Sequence, residues 1–325
     1  MIVPKYWAED RYQHRQSGKQ ITIRRFGWSD ISLEDAQAHA RQRVDEAFQS
    51  WLSGDKDVSR RELKAAYNGA VGVPIREEII SEHGDTIITR NSYGALCLNT
   101  PNVFFADIDF NSSLTTTTCL LGCITMLASI VFAISTGFRG RQMLPIFLLV
   151  PLVMAIPTYY RKLSYWIAGG AEPLALRRIQ RFVNTKLDWN LRVYRTPAGL
   201  RVMATHRPFD PSEPEACEAF KKFDTDQLYQ QMCWNQNCFR ARVTAKPWRI
   251  GIASHMKPRP GIWPVSPDRV PARDAWIREY EHTAKLFAAC HFIESMGNGV
   301  VHPDVRPVIE LHDTLASALS NRPIA

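Results

Sequence analysis

Asp107 and Asp109 close the stretch NVFFADIDF, two carboxylates one residue apart at the end of an apolar run. Side chains of a strand alternate with period two, so both acids point to one side of a sheet. Two hard oxygen ligands that close suit Mg²⁺ or Mn²⁺, and such a pair can clamp a nucleoside triphosphate. Arg192, Arg195, Arg201, Arg240 and Arg242 fall on strands expected to adjoin the acids. The planar guanidinium fork fits phosphate and carboxylate equally well. The arginines therefore hold a phosphorylated ligand or satisfy the aspartates themselves, and residue types leave both open.

Other constellations carry less. Cys217, Cys233 and Cys238 with Cys290-His291 offer thiolate and imidazole, but their spacing is a poor match to a structural zinc site. Adjacent residues of a helix point about 100° apart, so Cys290 and His291 cannot pair directly there. His312-Asp313 reads as a pair of surface residues. The sequence has no phosphate-cradling glycine loop, zinc-protease helix or serine elbow.

The elements that must position these residues are a mixture of strands and helices. An alternating strand, Ile21 to Phe26, leads to Ser32, which is set to cap a helix closed by Gly54. Trp28 and Trp51 are expected to be mostly buried in that unit. DTIITRN, GALCLNT and VFFADIDF read as strands, and Leu174 to Lys186 as a helix with its arginines outward. LRVYRT and LRVMATH make a β-hairpin, with Gly199 expected to supply a positive φ at its turn. A helix from Glu215 to Cys233, the strand CFRARVTA, a proline-rich wrap and a long helix from Ala272 to Met296 complete the reading.

Between the two halves of this core lie two apolar runs. Phe110 to Phe138 carries no charge, and QMLPIFLLVPLVMAIPTYY follows after Arg139 and Arg141. Each is long enough for a membrane-spanning helix, which needs about 20 apolar residues. Pro145, Pro151 and Pro157 are better tolerated in a membrane helix than a soluble one. Tyr159, Tyr160, Tyr165 and Trp166 stand beside Arg161 and Lys162 where an interfacial belt belongs. The first sixteen residues are charged throughout, with no apolar stretch of a secretory signal. Seven cysteines, an odd number, do not form an evident disulfide framework. Basic residues after the second run place both termini in the cytosol, on a bacterial-type inner or a plasma membrane. The formal charge of +8 favours anionic partners, lipid headgroups or nucleic acid.

Acid–x–acid strand, helix, then a glycine-turned hairpin is an order that resembles the catalytic core of archaeo-eukaryotic primases and primase-polymerases. The resemblance spans residues ~85–245 and rests on Asp107, Asp109 and YRTPAGLRVMATH. It implies a metal-dependent nucleotidyl transfer. The family's histidine after the glycine is replaced by Arg201, and its third acid has no counterpart in CFRARVTA. Residues ~20–54, through GWSDISLEDAQ, resemble the arm-type DNA-binding module of phage integrases, which implies nucleic acid as a partner.

The fold expected is α+β, an antiparallel or mixed sheet with packed helices, interrupted by a two-helix transmembrane hairpin. Residues 1–60 form a strand–helix module, 61–112 and 161–255 the two parts of the core, 113–160 the hairpin, and 256–325 a proline-rich wrap with a C-terminal helix. The function favoured is a membrane-anchored binding or scaffold protein facing the cytosol, without catalysis. Its partners are the bilayer and an anionic headgroup or phosphorylated ligand. The alternative is an enzyme acting on nucleotides or phosphates at Asp107 and Asp109, with Mg²⁺ or Mn²⁺ as cofactor.

Overall fold

Runs rich in β-branched and aromatic residues, cut by short polar turns, build ten strands among the described residues. The computed structural model describes residues 3–16, 19–55, 73–110, 127, 159, 163–259 and 263–325. The strands are β1 (Tyr6–Gln16), β2 (Lys19–Ser29), β3 (Glu78–His83), β4 (Thr86–Arg90), β5 (Leu96–Thr100), β6 (Phe105–Asp109), β7 (Asn190–Arg195), β8 (Gly199–Ala204), β9 (Phe239–Arg242) and β10 (His291–Gly297). The helices are α1 (Leu33–Leu52), α2 (Ala171–Thr185), α3 (Pro214–Phe223), α4 (Gln227–Gln236), α5 (Val270–Ala284) and α6 (Arg306–Leu315). One sheet has the order β10-β7-β8-β6 and a second β3-β4-β5-β9, while β1 and β2 form a separate ribbon. Strand pairs are antiparallel throughout. The fold is α+β, antiparallel sheets with packed helices.

Ser32 caps α1 by accepting from the Asp35 amide at 3.1 Å, and Ala36, Ala40 and Val44 turn inward. Gly27 lets the helix lie directly on β2: a Cβ there would stand 2.1 Å from the Ala36 carbonyl oxygen. Trp28 and Trp51 are half-buried, not mostly buried, because a two-stranded ribbon covers only one face of the helix. Strand β1 is absent from the sequence reading, since its charges mask any apolar period.

In the main sheet Ala106 and Ile108 alternate with the aspartates and join the core. Ala175, Ile179, Phe182 and Val183 of α2 belong to the same core, with Phe220 and Phe223 of α3. Phe104, Trp189, Phe209 and Phe239 fill its centre with ring centroids 4.9–6.0 Å apart, a range in which edge and tilted contacts add to burial.

Three expectations are corrected. The single helix over Glu215–Cys233 is two, because Asp224 adopts a left-handed φ of 61° and Asp226 starts α4 by accepting from the Tyr229 amide. The long helix over Ala272–Met296 stops at Ala284, and His291–Gly297 instead forms β10, paired with β7 through a bulge between Phe292 and Glu294. The C-terminal segment is thus part of the main sheet and not only a wrap. Gly199 is not among the positive-φ residues. It is required by close approach, since a Cβ there would meet the Ile108 carbonyl oxygen at 1.8 Å.

The two apolar runs lie outside the described residues, apart from Phe110, Leu127 and Tyr159. Among the described residues no helix is long and apolar enough to cross a membrane. At either end of this stretch Phe110 and Tyr165 lie together, the Tyr165 hydroxyl donating to the Phe110 carbonyl at 3.0 Å.

Candidate functional site

Register puts Asp107 of β6 opposite Arg201 of β8, and Arg201 opposite Tyr194 of β7. Arg201 grips Asp107 with both arms of its fork, Nε to Oδ1 at 2.8 Å and Nη2 to Oδ2 at 3.2 Å. Its Nη1 donates to the Arg242 carbonyl at 2.8 Å and lies 3.3 Å from His312 Nε2. The Arg201 side chain is 2% exposed against 37% for Asp107, so the cation is the deeply buried partner. Burial pushes the Asp107 carboxyl up, but Arg201 outweighs it, aided by Arg242 and His312, and the net result lies below the usual carboxylate range.

Behind Arg201 the charges continue. His312 Nδ1 stands 3.1 Å from Asp313 Oδ1, Arg192 Nη2 donates to Asp313 Oδ2 at 2.6 Å, and Arg192 Nε donates to Tyr194 Oη at 2.8 Å. Arginine can only donate, so His312 Nε2 accepts and its proton sits on Nδ1, facing Asp313. Burial first, then Arg201, hold the imidazole below its ordinary range and outweigh Asp313. His312 and Asp313 are buried, not surface residues as their sequence context implied. The apolar spacing of Val308, Ile309 and His312 on one face of α6 was the available signal.

Cys290 Sγ lies 3.9 Å from His312 Nε2, giving thiol, imidazole and carboxylate in sequence. That order suits a nucleophile and its base. Here the thiol is wholly buried, and burial pushes it up to about 12. An enclosed, protonated sulfur is packing, not chemistry.

Asp109 has a different environment. It is exposed, stands opposite Gly199, and makes no ion pair or side-chain hydrogen bond among the described residues. Burial of part of the carboxyl, then Asp107 and Asp226, raise it above its ordinary value against the pull of Lys246 and Arg242.

The remaining sequence candidates separate. Arg195 lies on the opposite face of the sheet, bound at its Nε to Glu172 at 2.9 Å. Arg240 is taken by buried Glu77 at 2.6 and 2.8 Å and by Asn99 at 3.2 Å. Of these five arginines, Arg242 is the one with a buried Nε that lacks a hydrogen-bond partner among the described residues. Beyond it, the 3₁₀ turn Pro247–Arg249 brings Lys246 and Arg249 to the same place, and Arg249 Nη1 is likewise buried and unpartnered. Sequence reasoning missed both; the signal was KPWR, two cations three residues apart in a proline-framed turn directly after a strand.

Arg201 uses one acceptor site on each oxygen of Asp107 and neutralises its charge, which weakens it as a metal ligand. Among the described residues no group of three or more His, Cys, Asp or Glu side chains could hold a metal ion. Fold and site together define an α+β protein with a buried ion-pair relay under one sheet and a basic cluster at its rim. No protein-family model, curated protein or solved structure matches the chain.

Proposed function

We propose that this chain is a membrane-anchored binding protein whose core faces the cytosol, with Asp107 serving structure and not catalysis. The observation that carries the anchoring is the apposition of Phe110 and Tyr165. A segment that leaves and re-enters a core at one point suits a two-helix hairpin, and residues 111–162 hold two runs of spanning length. The hairpin would set the end of β6, with Asp109, beside the headgroups. Binding without catalysis is supported by the division of the acid pair. Arg201 occupies Asp107, and although Asp226 acts on Asp109, the described residues hold no group of three or more His, Cys, Asp or Glu side chains that could bind a metal ion. The primase-type resemblance then concerns arrangement of strands and not their chemistry, because Arg201 stands where a histidine would be needed.

The test is side-specific labelling of the full chain in sealed vesicles with a membrane-impermeant maleimide. Gln20→Cys, at an exposed position, is expected to label only from the cytosolic face and Gly140→Cys only from the other. Labelling of both from one side would remove the hairpin.

A further inference from the structure

We infer that Arg242, Lys246 and Arg249 form a site for a phosphoryl group, a phosphate monoester or a diphosphate, at the rim of β9. This deepens the binding reading above and rests on it for its setting, though not for its chemistry.

Guanidinium N–H groups in a folded protein are almost always paired, because a buried donor without an acceptor costs about 1–3 kcal/mol. Arg242 Nε and Arg249 Nη1 are both buried and both lack an acceptor. Arg90 Nε and Arg273 Nε share that state, but their guanidinium groups are ion-paired with Glu78 or Glu281, whereas Arg242 and Arg249 have no carboxylate partner among the described residues. They belong to residues seven apart in sequence, brought together because β9 ends at Arg242 and the chain then folds into the 3₁₀ turn Pro247–Arg249. The turn is fixed by backbone bonds from the Arg249 amide to Lys246 O at 2.9 Å and from the Ile252 amide to Pro247 O at 3.0 Å. These bonds fix the backbone from which Lys246 and Arg249 project.

The charges agree with the geometry. Burial and then its neighbours Arg242 and Arg249 push the Lys246 ammonium below its ordinary range. Arg249 is lowered in the same way, by burial and then Arg242. Neither has an ion pair with a carboxylate among the described residues, and the acid that acts on both is Asp109. Asp107, which also draws on Lys246, is already neutralised by Arg201. Three cations face one free carboxylate, a surplus that matches a dianion. Carboxylate ligands would leave part of that surplus unmet, whereas phosphoryl oxygens accept from several forks at once. Tyr93, whose phenol lies beside Arg242, adds a hydroxyl, and Trp248 closes the rim with its ring 5.3 Å from that of Tyr93 and 5.4 Å from Lys246 Nζ.

Such a group comes from a soluble phosphate ester or from a lipid headgroup, and the two are separable. The purified full chain should be titrated by calorimetry with inorganic pyrophosphate and, separately, with short-chain dioctanoyl phosphatidic acid. Saturable binding of pyrophosphate points to a soluble ligand, and binding of the lipid alone to a headgroup; either supports the site. The Lys246→Ala/Arg249→Ala variant should bind at least tenfold more weakly, while Lys222→Ala, which removes an exposed charge elsewhere, stays within about twofold. Asp109→Asn removes the opposing carboxylate and should tighten binding a few-fold. Melting without ligand should show the double variant no less stable than wild type, because it relieves repulsion. The inference is overturned if neither probe binds, if the double variant and Lys222→Ala weaken binding alike, or if Asp109→Asn weakens it. A chain that labels as a hairpin but ignores both probes keeps its anchor and loses this site.

Discussion

Asp107 and Asp109 share one face of one strand, yet their surroundings move their protons in opposite directions. Asp107 neutralises a buried guanidinium, so removing its charge leaves Arg201 without its main acceptor. Asp107→Asn should destabilise the fold by about 2–3 kcal/mol, below the full value for a buried pair because about a third of the carboxylate side chain faces solvent. Asp109→Asn should be neutral or slightly stabilising, within about 0.5 kcal/mol, since it removes an ionised group that its neighbours disfavour. Chemical denaturation of the two variants checks this, and equal losses would contradict it. The relay also sets a pH dependence. His312 is held below its unfolded value near 6.5, so the unfolded chain takes up a proton first as pH falls. Its contribution is complete above about pH 6.5 and is lost on acidification; His206, also lowered by burial, acts in the same direction. Asp107 and Asp313, both lowered, add losses only below about pH 3.8. Denaturation midpoints from about pH 8 to about pH 5 should therefore be level and then fall, and a rise over that span would refute the relay.

Elements with strong local chemistry were legible from the residues alone. Ser32 and Asp35 declare the start of α1, and the periodicity of Ala175, Ile179, Phe182 and Val183 declares α2. The alternation of Phe105 to Asp109 gave the acids a common face. What was not legible depends on tertiary partners. Segment His291–Gly297 has residues compatible with a helix, and becomes β10 because the edge of β7 offers it backbone partners. The break at Asp224 rests on one residue accepting a left-handed conformation that local sequence allows but does not require. The arginines were legible as a set, but not as individuals: which acid each meets depends on register and on α6, far along the chain. Gly199 was noticed for the wrong reason, a turn and not a contact. Gly199→Ala places a carbon into the Ile108 carbonyl, so β6 and β8 must separate where the acids sit. It should cost at least about 2 kcal/mol, on the scale of overpacking. Hydrogen exchange should rise first at Ile108 and Leu200, and protection equal to wild type there would contradict the close approach.

At the scale of the whole molecule, the core is interrupted but closed. Phe110 and Tyr165 meet beside the paired strands β6 and β8, close enough for a short linker to join them. If the proposed hairpin is the anchor, replacing residues 111–162 with a short Gly-Ser linker should leave the melting temperature of the core within about 2 °C and release the protein from alkali-washed membranes. Retention on the membrane would place the anchor elsewhere. On the function proposed above, the acid pair serves structure and the rim of a binding site, not metal chemistry. Thermal melting of the full chain with and without Mn²⁺, for wild type and for Asp109→Asn, tests it most directly. A metal bound at a hundredfold above its Kd adds about 2.7 kcal/mol to the folded state. With Arg201 holding Asp107, the melting temperature of both proteins should be unmoved by Mn²⁺. A rise of several degrees in wild type, abolished in Asp109→Asn, would contradict the account and make the pair a metal site.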